Sequence, residues 1–98
     1  MPETQVEAFS FRDRLRNNQL FVEAVRASDL SLKQKFQLRI LYLIPDVRSN
    51  VDAHIEQLVA ERGDVNAMAN GDIIKIIIDK LPEIIAFIEL LLKLFGGI

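Results

Sequence analysis

Four sets of residues in this chain have types and spacings that chemistry uses. His54 is the only histidine, and an imidazole serves as a general base or a metal ligand near neutral pH. A helical metal pair needs a second ligand four residues away, where this chain has Asn50 and Leu58. A structural role for His54 on the edge of an apolar helix face is therefore expected. Asp52 with Glu56, and Asp79 with Glu83, are carboxylates four apart that could share a metal or a proton. Arg48 precedes Asp52 by four and Lys75 precedes Asp79 by four. Local ion pairing on a solvated face accounts for these carboxylates without chemistry.

Arg12, Arg14 and Arg16 form an alternating basic run beside Phe9 and Phe11. On a helix Arg12 and Arg16 share a face and Arg14 points elsewhere. A stripe that tracks phosphates needs more cations than this to bind at physiological salt. The sequence has no glycine-rich phosphate loop, nucleophile elbow or HExxH. These absences predict a chain that is not an enzyme and has no cofactor, metal or small-molecule substrate.

The elements that must position these residues read as helices. Ser10–Asp13 and Ser31–Gln34 have the spacing of capping boxes, and Ser49–Asp52 also reads as a helix start. Gly63 follows a helical pattern where a left-handed cap belongs. Pro45 and Pro82 interrupt helical hydrogen bonding. The predicted helices are approximately 10–27, 31–44, 50–62, 72–81 and 82–95, within one domain, 1–98. The polar run Arg16–Gln19 is a possible break in the first of them. Phe36–Ile44 is ambiguous, because its first half alternates like a strand and its second half is apolar throughout. Helix is favoured there, since an isolated strand would leave its hydrogen bonds unpaired. The predicted fold is all-α: a compact bundle of four or five short helices with a very hydrophobic, proline-kinked C-terminal helix.

Composition supports a single small globular unit. Half of the 98 residues are hydrophobic, 27% are charged and none is cysteine, which removes disulfides and thiolate chemistry. Residues 1–50 carry eight Lys/Arg against six Asp/Glu, and residues 51–98 carry four against eight. A front half at +2 and a back half at −4 can attract one another within or between molecules, but neither value calls for nucleic acid. MPETQVEAF lacks the basic-then-apolar run of a secretory signal, so the cytoplasm, or the interior of a host cell, is expected.

The most informative stretch is Asp72–Ile98, whose 27 residues include sixteen large or branched apolar ones. Taken as one helix, its charges at Asp72, Lys75, Asp79, Glu83, Glu89 and Lys93 fall in one stripe. The apolar arc covers roughly 240°, against the ~100° of an ordinary surface helix. Ile77, Leu81, Ile84, Ile88 and Phe95 lie opposite the charges and are predicted core. One flank holds Ile74, Ile78, Ile85 and Leu92. The other flank, Ile76, Phe87, Leu90 and Leu94, is the predicted interface. A membrane span is disfavoured, because Asp79, Lys80, Glu83 and Glu89 would each cost roughly 2.5–3.5 kcal/mol near the bilayer centre.

The expected function is a structural or interaction module that self-associates, or docks on another protein, through this C-terminal helix. A part in a larger assembly such as a viral particle is compatible with that reading. A second reading lays the same helix on a membrane surface. A third, the least supported, is a small nucleic-acid-binding protein using Arg12, Arg16, Arg26 and Lys33.

Overall fold

A computed structural model describes residues 11–95, and the predicted capping box at Ser10 lies outside them. Among the described residues there are six helices and no strand: α1 Phe11–Asn17, α2 Leu20–Ala27, α3 Leu32–Leu43, α4 Pro45–Ala60, α5 Asn70–Asp79 and α6 Leu81–Leu94. The all-α reading holds, while six replaces four or five. The extra helix comes from a break at Gln19, which takes a left-handed conformation with φ 51° and ψ 42°. One such residue turns the chain sharply and separates α1 from α2. Pro82 does not kink one long helix. Lys80 leaves helical geometry, and Pro82 sits in the first turn of a new helix, where its missing N–H is no loss.

Pro45 acts in the same way. It starts α4 with only Ile44 between it and the end of α3, so the helix begins ahead of the predicted start near residue 50. Ser31–Gln34 is a complete capping box: the Gln34 amide donates to Ser31 Oγ at 3.2 Å, and the Ser31 amide donates to Gln34 Oε1 at 3.3 Å. Phe36–Leu43 is helical. Gly63 takes φ 158°, away from the left-handed helical cap that its position suggested.

The centre of the bundle is α4. It buries Val47, Val51, Ile55, Leu58 and Val59 and packs on α1, α3, α5 and α6. Spacings of three and four around the near-central Val51 give α4 a wide apolar face. The most extensive pairing in the fold is that of α2 with α5, where Phe21, Ala24 and Val25 belong to the same core as Ile73 and Ile77. The last helix packs on α4 and α5 at the side of the bundle instead of passing through its middle.

Arg14, set apart from Arg12 and Arg16 by helical phase, ties down the α4–α5 connection. Its Nε donates to Asn70 Oδ1 at 2.8 Å, its Nη1 to the Val65 carbonyl at 3.0 Å, and its Nη2 to the Met68 carbonyl. The planar guanidinium holds three acceptors at once, which an ammonium on a flexible stem cannot reproduce. Arg14→Lys is therefore expected to lower stability by about 1–2 kcal/mol. Native-state hydrogen exchange should report the loss first at residues 64–70, and equal exchange in both proteins would refute the clamp.

Candidate docking surface

The chemically suggestive residues of the sequence are dispersed by the fold. His54 stacks on Phe87, with ring centroids 4.3 Å apart and planes 11° from parallel, and its Nε2 lies 4.0 Å from a Glu83 oxygen. Glu56 pairs with Arg12 at 3.4 Å, and Asp79 pairs with Arg62 at 2.7 Å in place of Lys75. Asp52 is fully buried, contrary to the solvated face expected of it. Its Oδ1 accepts the Tyr42 hydroxyl at 2.6 Å, and its Oδ2 has no hydrogen-bond partner among the described residues. Burial raises the Asp52 pKa, against the opposing pull of the Tyr42 hydrogen bond and the charges of Arg16, Arg48 and Arg12. Burial likewise raises Tyr42, helped by its hydrogen bond to Asp52. Among the described residues no three His, Asp or Glu side chains converge as metal ligands would.

The predicted interface residues separate. Leu90 and Leu94 are 53% and 71% exposed, and Phe87 is half-buried against His54. Ile76 is buried. Its expected position assumed one helical phase from Asp72 to the end, and the break at Lys80 places it in α5 with Ile73 and Ile77 instead. Of the predicted core, Ile77, Leu81, Ile84 and Ile88 are buried, whereas Phe95 is 41% exposed. Leu91 is the last buried residue of α6, and Phe95 follows its final turn. Leu90, Leu94 and Phe95 together form an apolar tip at the end of that helix.

A larger apolar surface lies on α3, where sequence reasoning did not place one. Leu32, Phe36, Ile40 and Leu43 are 84%, 65%, 45% and 70% exposed. At about 100° per residue these four fall within an arc of roughly 80° along the whole helix. Leu38 and Tyr42 face the other way into the core. The helix is therefore apolar on two faces, one satisfied by α4 and α2 and one left in water. Polar residues fill the two seams between the faces: Lys33 and Gln37 on one side, Lys35 and Arg39 on the other. The spacing i, i+4, i+8, i+11 was the available signal. The inner residues interleave with it in sequence, so the run looked like a strand or a fully buried segment.

Grooves flank this ridge. Between α3 and α6 lies a cavity of about 600 Å³ whose apolar walls include Phe36, Ile40 and Leu41 facing Ile85, Ile88 and Leu92. On the other side, a groove of about 460 Å³ brings Arg16, Arg39 and Arg48 beside Phe36, Leu43 and Tyr42. These three arginines have no ion pair among the described residues. Lys35 donates to the last-turn carbonyl of Arg26 in α2 at 2.9 Å, a favourable place for a cation. The α3 sequence itself contains no Asp or Glu. The surface is thus an apolar ridge bordered by Arg16, Arg39 and Arg48 on one side and by Lys33 with Glu89 of α6 on the other, on a molecule whose net charge is −2.

Of the cations assigned to nucleic-acid binding, Arg12 is paired with Glu56 and Arg26 with Glu23, which leaves Arg16 and Lys33. No helix among the described residues is long and apolar enough to cross a membrane. No family model, curated protein or solved structure matches this chain.

Proposed function

We propose that the chain is a non-enzymatic interaction module that joins a protein assembly through the outward face of α3. The observation that carries this reading is the continuous exposure of Leu32, Phe36, Ile40 and Leu43 along three turns. An apolar stripe rimmed by charge is the anatomy of a docking site. Removing one such side chain from water is worth roughly 1.5–3 kcal/mol when complete. Four of them supply a gross gain comparable with the 4–15 kcal/mol that association costs. The surface therefore suits a weak, reversible contact, with border charges setting specificity.

The expected use of the C-terminal helix is narrowed to its tip. Among the described residues of this segment, Ile84, Ile88 and Leu91 are buried, Ile85, Phe87 and Leu92 are partly buried, and Leu90, Leu94 and Phe95 are exposed. The double substitution Phe36→Asp/Ile40→Asp tests the reading. Both side chains protrude, so stability should change by no more than about 1 kcal/mol. Concentration-dependent association, followed by sedimentation velocity, should disappear. Association that persists in a folded double variant would show that the α3 face is not the seam.

A second reading, a peripheral membrane protein, moves from the C-terminal helix to α3. The observation favouring it is the combination of Leu32, Phe36, Ile40 and Leu43 with the border of Arg16, Arg39 and Arg48 and no carboxylate on the helix.

A further inference from the structure

We infer that the occupant of the α3 ridge is the α6 tip of a second copy of this chain, so that copies join head to tail. The inference rests on the proposed reading of α3 as a docking surface. It starts from what α3 cannot pair with. The helix carries Lys33, Lys35 and Arg39 and no carboxylate. Two copies of α3 packed face to face would set cation against cation along the Lys35–Arg39 border, and no carboxylate of the helix would offset the repulsion there; Glu89 of α6 stands only beside the opposite border, with Lys33. The partner must bring apolar side chains and negative charge together.

The tip of α6 brings both. Leu90 and Leu94 are one turn apart and exposed, with Phe95 beside them. Glu83 stands on the same line of α6, seven residues before Leu90, and Glu89 borders the tip; Lys93 is the one cation nearby. Phe36 and Ile40 are also one turn apart. Rows spaced by four on two helices interlock as ridges into grooves. Leu90 and Leu94 can then seat beside Phe36 and Ile40 while Glu83 and Glu89 approach the Lys35 and Arg39 border.

Both patches are exposed at once in a single molecule, so the chain's own tip does not cover its own ridge. A contact between two different patches is heterologous, and it propagates into a ring or an open chain instead of stopping at a dimer. The uneven charge of the two halves, +2 and −4, has the sign that such stacking requires.

Complementation tests this by light scattering on size-exclusion columns, with folding checked by circular dichroism. The wild-type mass should rise past that of a dimer with concentration. Phe36→Asp/Ile40→Asp and Leu90→Asp/Leu94→Asp should each be monomeric alone. Mixed in equal amounts, they should form a one-to-one pair and stop there, because each retains one working surface. The charge variant Lys35→Glu/Arg39→Glu, which spares the apolar residues, should weaken wild-type association at least tenfold.

Dimers of the tip variant would overturn the inference in favour of α3 pairing with itself. Dimers of the ridge variant would overturn it in favour of a seam along α6. A monomeric wild type would also overturn it. In that case, Phe36-dependent binding to phosphatidylserine vesicles would support the membrane reading. Phe36-dependent binding to a designed acidic amphipathic helical peptide would instead leave the docking reading standing with another protein as partner. Loss of all these interactions would remove the docking reading as well.

Discussion

Phe21→Ala is expected to lower stability by about 3–5 kcal/mol, the largest effect of any substitution considered. Phe21 is completely buried on α2, and its ring lies 4.6 Å from that of Tyr42 with the planes tilted by 36°. Truncation removes the packing of the whole ring and leaves a cavity where α2 meets α3. The rigid helices around it close that space only in part. A domain of this size has about 5–15 kcal/mol in total, so the variant should be close to unfolding at physiological temperature. Urea denaturation measures the loss directly. A change below about 1 kcal/mol would mean that α2 and α3 are not packed as described. The consequence reaches the docking surface, because the inner contacts of α3 hold its outer stripe in place.

The second large effect centres on Tyr42 and Asp52. Tyr42→Phe should cost about 3 kcal/mol at neutral pH, since it strips a buried carboxylate of the one hydrogen-bond donor it has among the described residues. The pH dependence follows from the direction of the Asp52 shift. Burial holds the folded carboxyl above its ordinary pKa, so this residue's contribution to stability is fully present below the unfolded value. That contribution is lost as pH rises through the raised folded value. Tyr42→Phe removes an interaction that favours the charged form, so its penalty should be larger at neutral pH than in acid.

Asp52→Asn keeps an acceptor for the Tyr42 hydroxyl and removes the ionisation. It should be at least as stable as wild type at neutral pH, with any advantage closing as pH falls towards the ordinary carboxylate range. Thermal unfolding across pH measures both variants. A Tyr42→Phe penalty independent of pH would contradict the assignment of a desolvated carboxyl to Asp52.

Some of the fold was legible because local chemistry decided it. Ser31 and Gln34 specify a helix start whatever surrounds them, and the apolar periodicity of residues 51–59 specifies an inward face. Other features depended on choices that no local pattern fixes. Gln19 turns left-handed although glycine or asparagine is the usual residue there, so the break between α1 and α2 had no marker beyond a polar run. Pro45 was read as a stop, yet it also serves as the first turn of the next helix, as the predicted helix 82–95 already allowed for Pro82.

The candidate site was partly legible. Leu90 and Leu94 are exposed as their helical phase suggested, because α6 keeps a regular phase. Ile76 was misplaced by carrying that phase across Pro82, and Phe95 by ignoring where the neighbouring helices end. The α3 stripe escaped because Leu38, Leu41 and Tyr42 interleave with Leu32, Phe36, Ile40 and Leu43. A helix wanted on two faces looks in sequence like a segment wanted on all of them. The burial of Asp52 was likewise invisible, since nothing in its local spacing shows that Tyr42, ten residues away, will meet it.

The central claim, that α3 is a docking face, is tested most directly by amide spectra of the isotope-labelled protein over a dilution series. Concentration-dependent shifts or broadening should be confined to residues 32–43 and to the 90–95 tip, with the α2–α5 pairing unchanged. Shifts concentrated on α5 or α1 with α3 silent would contradict the account.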